Sequence, residues 1–215
     1  MKERYWTTRT IKRKAAAILS DVQSRNRPHL NFGLANSALL ILDMQRFFFQ
    51  PDSHAFIPSA PAIIPGSQQI IRLYRHHHRP VIFTRHINTT QNAAMMKEWW
   101  RDLIEVNNPL SQLIPGISVL PSEIIIKTQY DAFYKTPLAA ILKKRRVKQL
   151  VICGVHTNLC CETTARAAFV RGFEVLFPAD GTACYNEQFH RATLLNLAYG
   201  FARVCLIQDL IKKDN

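Results

Sequence analysis

Short apolar runs rich in β-branched residues alternate with amphipathic, helix-like segments along most of this chain. Six runs predict β-strands, at 38–42, 80–84, 123–127, 149–153, 174–177 and 203–207. Segments between them predict helices at 67–77, 136–144, 161–171 and 187–199, with a weaker pattern at 93–105. Continuous apolar strands separated by helices are typical of a parallel sheet that helices cover on both faces. We therefore predict an α/β fold, a three-layer, doubly wound sandwich around a mostly parallel six-stranded sheet.

The length and charge of the chain suggest one main domain preceded by a basic arm. The 215 residues, 47% of them hydrophobic, can bury one sizeable core, which we assign to residues 31–215. Residues 1–30 are predicted to form a helical N-terminal arm with eight Lys or Arg against two acids, broken at Asn26–Pro28. The net charge of +13 could attract nucleic acid, acidic lipid or an anionic substrate. Because no zinc-finger spacing or aromatic RNA-binding signature accompanies it, we do not expect nucleic acid as a partner.

The cysteines and the apolar runs indicate a cytoplasmic protein. Five cysteines, an odd number with three at one junction and no CxxC pair, do not form a secreted disulfide framework or a structural zinc site. No apolar stretch approaches the roughly 20 residues that cross a bilayer, and no signal-peptide core is present. We therefore expect neither a membrane partner nor export by that route.

The stretch VICGVHTNLCCETTARAAFVRG, residues 151–172, holds the most informative cysteines. A predicted strand ends at Cys153-Gly154, a tight turn follows, and Cys160 and Cys161 precede an alanine-rich helical segment. A thiol at a helix start meets free backbone N–H groups and the helix dipole, both of which favour the thiolate. Such a position suits a nucleophile, although free cysteines are also common as small core residues.

Two other predicted strands end in an ionisable residue. The first ends in Leu42-Asp43 and the third in three isoleucines followed by Lys127. Each of the three residues alone has an ordinary structural explanation. Asp43 could cap a helix, Lys127 could extend from a sheet edge to solvent, and Cys160 could be a core residue. Because ligands bind beyond the carboxyl ends of parallel strands, the three together predict an acid, a base and a thiol in one site.

These segments resemble the isochorismatase-like cysteine hydrolases, a superfamily that includes nicotinamidases and N-carbamoylsarcosine amidohydrolase. The matching pieces follow in order and cover nearly all of the chain after residue 36: LLILDMQRFF (39–48), PVIFTRH (80–86), IIIKTQYDAFYKTPL (124–138), ICGVHTNLCCETTARAA (152–168) and VLFPADGTA (175–183). The resemblance implies a Rossmann-like fold with a catalytic triad of Asp43, Lys127 and Cys160, in which Cys160 is the nucleophile. It also implies oligomers, and we expect a homo-oligomer.

The resemblance further implies a cis peptide bond at Val155-His156 that turns backbone N–H groups toward an oxyanion. The donors would be the amides of His156 and Cys160. A histidine departs from the small residue or tyrosine that is commoner at this position. Its side chain is interpreted as a pocket wall or, alternatively, as a catalytic base.

Metal binding is not expected, and no cofactor is predicted. Nicotinamidases bind a divalent metal through an Asp-x-His pair after the second strand, but the matching stretch here is Thr84-Arg85-His86-Ile87-Asn88, with neither ligand in register. Asp52-x-His54 has the spacing but follows the first strand, so we interpret it as coincidental.

The substrate pocket is predicted from segments that should face the strand ends. Its expected residues are Gln45, Arg85, His86, Trp99, Trp100, Tyr130 and Phe133. Arg85 could hold a substrate carboxylate, and the two tryptophans could form an aromatic wall or lid, or pack in a core or interface. We predict hydrolysis of a C–N bond in a small amide, carbamoyl or imide substrate. Vinyl ether hydrolysis of the isochorismatase type and a non-catalytic binding role are the alternatives.

The adjacent cysteines give a direct test of the nucleophile. We expect Cys160→Ala to abolish turnover and Cys161→Ala to retain most of it, because only Cys160 matches the family nucleophile. Mild alkylation followed by mass spectrometry should label Cys160 first, since the thiolate is the reactive form. Faster labelling of Cys161 or Cys184 would contradict the assignment.

Overall fold

The computed structural model describes residues 1–26 and 31–212. Within this part, the strands are β1 Ser37–Leu42, β2 Val81–His86, β3 Ile124–Lys127, β4 Gln149–Val155, β5 Glu174–Pro178, β6 Thr182–Ala183 and β7 Arg203–Cys205. The α-helices of the same residues are α1 Ile11–Val22, α2 Arg46–Phe49, α3 Ile64–His76, α4 Met96–Trp99, α5 Leu138–Lys144, α6 Glu162–Val170, α7 Glu187–Gly200 and α8 Ile207–Lys212.

The strands form one parallel sheet in the order β3-β2-β1-β4-β5-β7, and short β6 pairs with β4. Every strand pair in it is parallel. The predicted α/β fold with a mostly parallel sheet is confirmed. The strand order runs outward in both directions from neighbouring β1 and β4, which are buried along their whole length. Ligands of such sheets bind at the reversal point, so the carboxyl ends of β1 and β4 are where a site belongs.

Three local predictions need correction. The weak helix expected at 93–105 is a single turn, α4, because Ala94 takes a left-handed conformation (φ 49°) and the chain is extended at Trp100. The last predicted strand ends at Cys205, and Ile207 begins α8 instead. Strand β6 was not predicted, since two residues carry too little pattern to identify a strand.

The N-terminal residues contribute to the main core. Tyr5 and Trp6 are buried, as are Ile11, Ala15 and Ile18 on one side of α1. All five belong to the same apolar cluster as the strands. The predicted break at Asn26–Pro28 lies mostly outside the described residues, and the boundary at residue 30 stays a prediction. No helix within the described residues is long and apolar enough to cross a membrane.

Gly154 allows β1 and β4 to approach closely beside the predicted site. It is in register with Leu42 and has a φ of 118°, which L-residues rarely adopt. A Cβ atom placed there would lie 2.1 Å from the Leu42 carbonyl oxygen. The residue must therefore be glycine for both steric and conformational reasons.

Replacing this glycine should be far more costly than replacing one in open space. We expect Gly154→Ala to lower the free energy of unfolding by more than about 4 kcal/mol, or to prevent folding, because backbone atoms cannot yield. Gly116→Ala is the matched control, since Gly116 has a φ of 87° but nothing lies within 4 Å of its added Cβ. Its cost should be about 1–2 kcal/mol, the conformational cost alone. Urea unfolding measures both, and equal losses would contradict the steric argument.

Candidate active site

The ends of β1, β3 and β4 bring Asp43, Lys127 and Cys160 together. The Lys127 Nζ atom lies 2.8 Å from Asp43 Oδ2 and 3.3 Å from Cys160 Sγ. Asp43 and Lys127 side chains have no exposed surface, and Cys160 is 5% exposed. The structure therefore places the three predicted triad residues in one buried contact.

Asp43 is held in one orientation by its backbone and by β2. It directly follows β1 in a left-handed conformation with a φ of 51°, which Asp tolerates better than most residues. The Thr84 hydroxyl donates to Asp43 Oδ1 at 2.6 Å, and the Asp43 N–H donates back to that hydroxyl oxygen at 3.1 Å. One carboxylate oxygen is thus fixed by Thr84, which leaves the other for Lys127.

The buried pair favours its ionised forms. Burial alone would raise the pKa of Asp43, but the Lys127 ammonium and other partners hold it below its ordinary value. Burial alone would lower the pKa of Lys127, yet Asp43 and Cys160 raise it above its ordinary value. Two further acceptors surround the ammonium, the Gln129 carbonyl oxygen at 2.8 Å and His86 Nδ1 at 3.2 Å. The ion pair is therefore retained despite its complete burial.

Burial of Cys160 favours its thiol form over the thiolate. It lies in one π-helical turn, Thr157–Cys161, directly before α6. Burial raises its pKa to about 12, although Lys127 acts in the opposite direction. Desolvation thus acts against the thiolate, whereas the Lys127 charge and the helix start act in its favour. The thiol proton must then leave as the sulfur attacks, and Asp43 is the adjacent acceptor.

His86 joins this cluster as a neutral ring. Its Nε2 lies 2.6 Å from Asn88 Oδ1, and the Asn88 amide is oriented by donating to the Thr128 carbonyl oxygen at 3.0 Å. The proton therefore belongs on Nε2, so Nδ1 can accept from Lys127. Burial, and next the Lys127 charge, lower the pKa of His86 to about 4.

Ligand atoms of Asp43, His86 and Cys160 lie within 4.8 Å of one another, a spacing that could hold a metal. The Lys127 ammonium, however, contacts all three groups. Both ring nitrogens of His86 also have partners already. The Lys127 ammonium already places a positive charge among these atoms, and the His86 nitrogens already have hydrogen-bond partners. This arrangement does not fit a metal ion, so these residues do not form a metal centre.

The turn between β4 and Cys160 carries the predicted oxyanion donors. The Val155–His156 peptide bond is cis, the isomer that the family resemblance implies. The His156 ring packs edge-on between Phe48 and Tyr185, with centroids 4.9 and 4.7 Å away. Burial lowers its pKa to about 3. These ring contacts favour the pocket-wall interpretation of the His156 side chain.

A cavity of about 240 Å³ opens beside Cys160. His86, Trp100, Tyr130 and His156 line it, so three predicted pocket residues and the histidine of the turn meet there. The Trp100 indole N–H donates to the Tyr130 hydroxyl at 2.7 Å and joins two of these walls. Aromatic side chains form part of the cavity wall, and Cys160 lies at its surface.

Four predicted pocket residues do not line this cavity. Gln45 is buried, where its amide donates to backbone carbonyl oxygens of His86 and Ser111. Arg85 donates to the backbone and hydroxyl oxygens of Ser111. Trp99 is 73% exposed. Phe133 stacks on Phe173, with ring centroids 5.9 Å apart. Arg85 is therefore not placed to hold a substrate carboxylate in this cavity.

Several lining residues were not among the predicted ones, and some of them come from segments far from the strand ends. They are Lys2, Phe47, Phe48, His54, Ala55, Asn88, Met96, Arg101, Asp102, Leu103, Ile104, Leu159 and Tyr185. The three phenylalanines after Arg46 were an available signal, because so apolar a run beside an acid suggests a pocket wall. Nothing in the local sequence indicated that Lys2 reaches this site.

Comparison with known proteins places the chain in a family. The family model for the isochorismatase domain matches residues 37–209. The chain therefore belongs to the isochorismatase family, and it is a hydrolase of that family. Nicotinamidase 3 of Arabidopsis thaliana is 42% identical over 171 residues, which cover 77% of this chain and 82% of that protein.

Solved structures show the same fold. A cysteine hydrolase from Pseudomonas syringae pv. phaseolicola 1448A superposes with a TM-score of 0.82 at 24% identity, covering 86% of this chain and 95% of that one. The pyrazinamidase of Pyrococcus horikoshii, solved in complex with zinc, gives a TM-score of 0.71 at 26% identity, covering 80% of this chain and 99% of that one.

The buried neutral histidines should make stability fall in mild acid. The pKa of His86 is lowered from 6.5 to about 4, so between these values the unfolded chain binds a proton that the folded chain does not. The free energy of unfolding must then decrease as the pH falls. His156 and His190, with pKa values lowered to about 3, act in the same direction.

We expect His86→Asn to reduce this pH dependence by one proton, or about 1.4 kcal/mol per pH unit between pH 6 and 4.5. Urea unfolding across that range, with folding at pH 7 checked by circular dichroism, provides the measurement. Identical slopes for the variant and the wild type would show that His86 is not buried in the neutral form.

Proposed function

We propose that this protein hydrolyses a C–N bond in a small amide, carbamoyl or imide compound through a covalent acyl-enzyme on Cys160. The buried contact of Asp43, Lys127 and Cys160 beside an aromatic cavity is the observation that carries the proposal. The nicotinamidase relative supports amide chemistry, since its name states that activity.

The first half-reaction would form the acyl-enzyme. As Cys160 Sγ bonds to the substrate carbonyl carbon, its proton would pass to Asp43, because burial raises the pKa of the thiol and disfavours its ionisation before the attack. Asp43 would then donate that proton to the departing nitrogen as the C–N bond breaks. Ammonia or an amine leaves, and a thioester remains on Cys160.

The second half-reaction would hydrolyse the thioester. Asp43, again ionised, would accept a proton from water as the water oxygen attacks the carbonyl carbon. The sulfur then leaves and regains a proton, and the carboxylic acid product departs. Lys127 would keep its charge throughout, since its raised pKa makes it a poor proton donor. Its role is to position both partners and to stabilise negative charge on them.

The backbone amides of His156 and Cys160 would stabilise the oxyanion that forms in each half-reaction. Both belong to the turn that presents the nucleophile. Fixed N–H donors at such a position commonly supply a large part of the rate enhancement of acyl transfer. We propose no metal-dependent step, because the Asp43, His86 and Cys160 ligand atoms surround the Lys127 ammonium.

The two alternatives make different demands on the cysteine. Vinyl ether hydrolysis proceeds by protonation, so it requires the acid and not the thiol. A non-catalytic binding protein requires neither. In such a protein the buried triad would only destabilise the fold, through the desolvation of its charged groups. Dependence of turnover on Cys160 therefore separates all three possibilities.

Activity should depend on the cysteine and not on a metal. We expect ammonia release from at least one member of a panel of small amides, unaffected by chelation and dialysis and abolished by alkylation or by Cys160→Ala. Asp43→Asn should also abolish it, since the amide cannot shuttle the proton. Acid quenching during turnover, followed by mass spectrometry, should show the Cys160 peptide heavier by the acyl group.

Cys161→Ala is the matched control for these measurements, because Cys161 is adjacent but fully buried. It should retain the acyl adduct and most of the ammonia release. Full activity of Cys160→Ser or Cys160→Ala, especially toward isochorismate, would replace the acyl-enzyme proposal with vinyl ether hydrolysis. Loss of activity on chelation would contradict the metal-independent mechanism.

A further inference from the structure

The first residues of the chain reach the cavity that holds Cys160. Lys2 lines it together with Tyr185 and His156, although these residues are far apart in sequence. The Lys2 ammonium lies 4.5 Å from the centroid of the Tyr185 ring, and that ring packs against the His156 ring at 4.7 Å. A positive charge from the N-terminal segment thus joins the same aromatic wall as the turn before Cys160.

The segment around Lys2 is fixed to the body of the protein. The Glu3 N–H donates to the Tyr185 carbonyl oxygen at 2.8 Å, and the Glu3 carboxylate accepts from the Glu187 N–H. Tyr5 is buried, and its hydroxyl oxygen accepts from the Cys184 N–H at 3.1 Å. The Lys2 side chain is exposed, but these contacts of the residues that follow it hold its backbone beside the cavity.

The Lys2 charge has no acidic partner among the described residues. Its ammonium donates to the His54 carbonyl oxygen and faces the Tyr185 ring, both neutral groups. None of the ion pairs formed by described residues involves Lys2. Burial lowers its pKa, the direction expected when lost hydration is not compensated by a negative charge. An ammonium has three N–H donors, so it can still bind an anion.

The other charged side chains around the cavity already lie beside partners. Arg101 also lines it, but its guanidinium lies 3.9 Å from the Asp102 carboxylate, and the side chain is 77% exposed. Asp102 in turn lies 3.3 Å from His54 Nδ1. The Lys127 ammonium is paired with Asp43. Of the described cations that line or adjoin the cavity, Lys2 is therefore the one whose charge has no negative partner and whose backbone is anchored by its neighbours.

We propose that Lys2 binds an anionic group of the substrate, so that the preferred substrate is a small amide that carries a carboxylate at the end away from the reacting carbonyl. The inference rests on the proposed amide hydrolysis and assigns to Lys2 the specificity that the sequence suggested for Arg85. The amide carbon would meet Cys160, the carboxylate would meet Lys2, and the aromatic walls would contact the part between them. Lys2 is a specificity residue and takes no part in bond breaking.

Two alkylating reagents of nearly the same size test this preference without any substrate. N-iodoacetylglycine carries a carboxylate at the end away from its reactive carbon, whereas N-iodoacetylglycinamide is neutral there, and both transfer their iodoacetyl carbon to Cys160 Sγ with release of iodide. The ratio of their labelling rates at Cys160, followed by mass spectrometry of the intact protein and its peptides, reports how well the cavity accepts an anion. Because each variant supplies its own neutral reference, changes in thiol reactivity cancel in the ratio.

We expect Lys2→Met to lower the ratio of labelling by the anionic reagent to labelling by the neutral reagent about two- to fivefold, the upper part of the range that an exposed ion pair gives. Lys2→Arg should keep the wild-type ratio. Arg4→Met is the matched control, since Arg4 is an exposed cation of the same segment that does not line the cavity. It should leave the ratio unchanged. High salt should reduce the wild-type preference toward that of Lys2→Met.

An unchanged ratio in Lys2→Met would overturn the proposal, as would an equal decrease in Arg4→Met. A lower labelling ratio in Arg101→Met with an unchanged ratio in Lys2→Met would place the anion site at Arg101. That result would also overturn the proposal. Failure of the amide hydrolysis proposal is recognised separately, by the absence of ammonia release and of an acyl adduct on Cys160. The labelling ratio does not depend on either of those readouts.

Discussion

The Lys127 ammonium, buried at the end of β3, is the group around which the site is organised. Removing an ammonium from water costs several kcal/mol even after the protein relaxes, so it is tolerated only where good acceptors replace its hydration shell. Here the acceptors are Asp43, Cys160, His86 and the Gln129 carbonyl oxygen. Each of these positions is therefore constrained by the need to satisfy one buried charge. The same charge excludes a metal ion from the space between the three potential ligands.

The sheet places these acceptors by its strand order alone. Asp43 and Cys160 follow β1 and β4, the two strands from which the order runs outward, and His86 and Lys127 are the last residues of β2 and β3. In register, His86 lies opposite Lys127. A parallel sheet sends all of these ends to one edge, so no long connection has to carry a reactive side chain to the site. Loops and the N-terminal segment are then free to shape the cavity.

Most strand positions and the acid–lysine–cysteine contact could be predicted from the sequence, because an ionisable residue that ends a buried apolar strand is a strong local signal. The cavity walls could not, since Lys2, Phe48 and Tyr185 meet only after distant segments pack. Arg85 was placed in the pocket although residues alternate along a strand, and its neighbours Thr84 and His86 already face the site. The raised pKa of Cys160 could not be predicted either, because it depends on a burial that no local pattern reveals.

The site residues lie at the ends of several strands, and this affects when activity returns during refolding. Residues 43, 86, 127 and 160 become neighbours only when β1, β2, β3 and β4 have all paired, and each pairing closes a long loop of chain. Contacts of this kind form slowly compared with helices. Catalytic competence therefore reports completion of the central sheet, whereas circular dichroism can recover earlier through the helices.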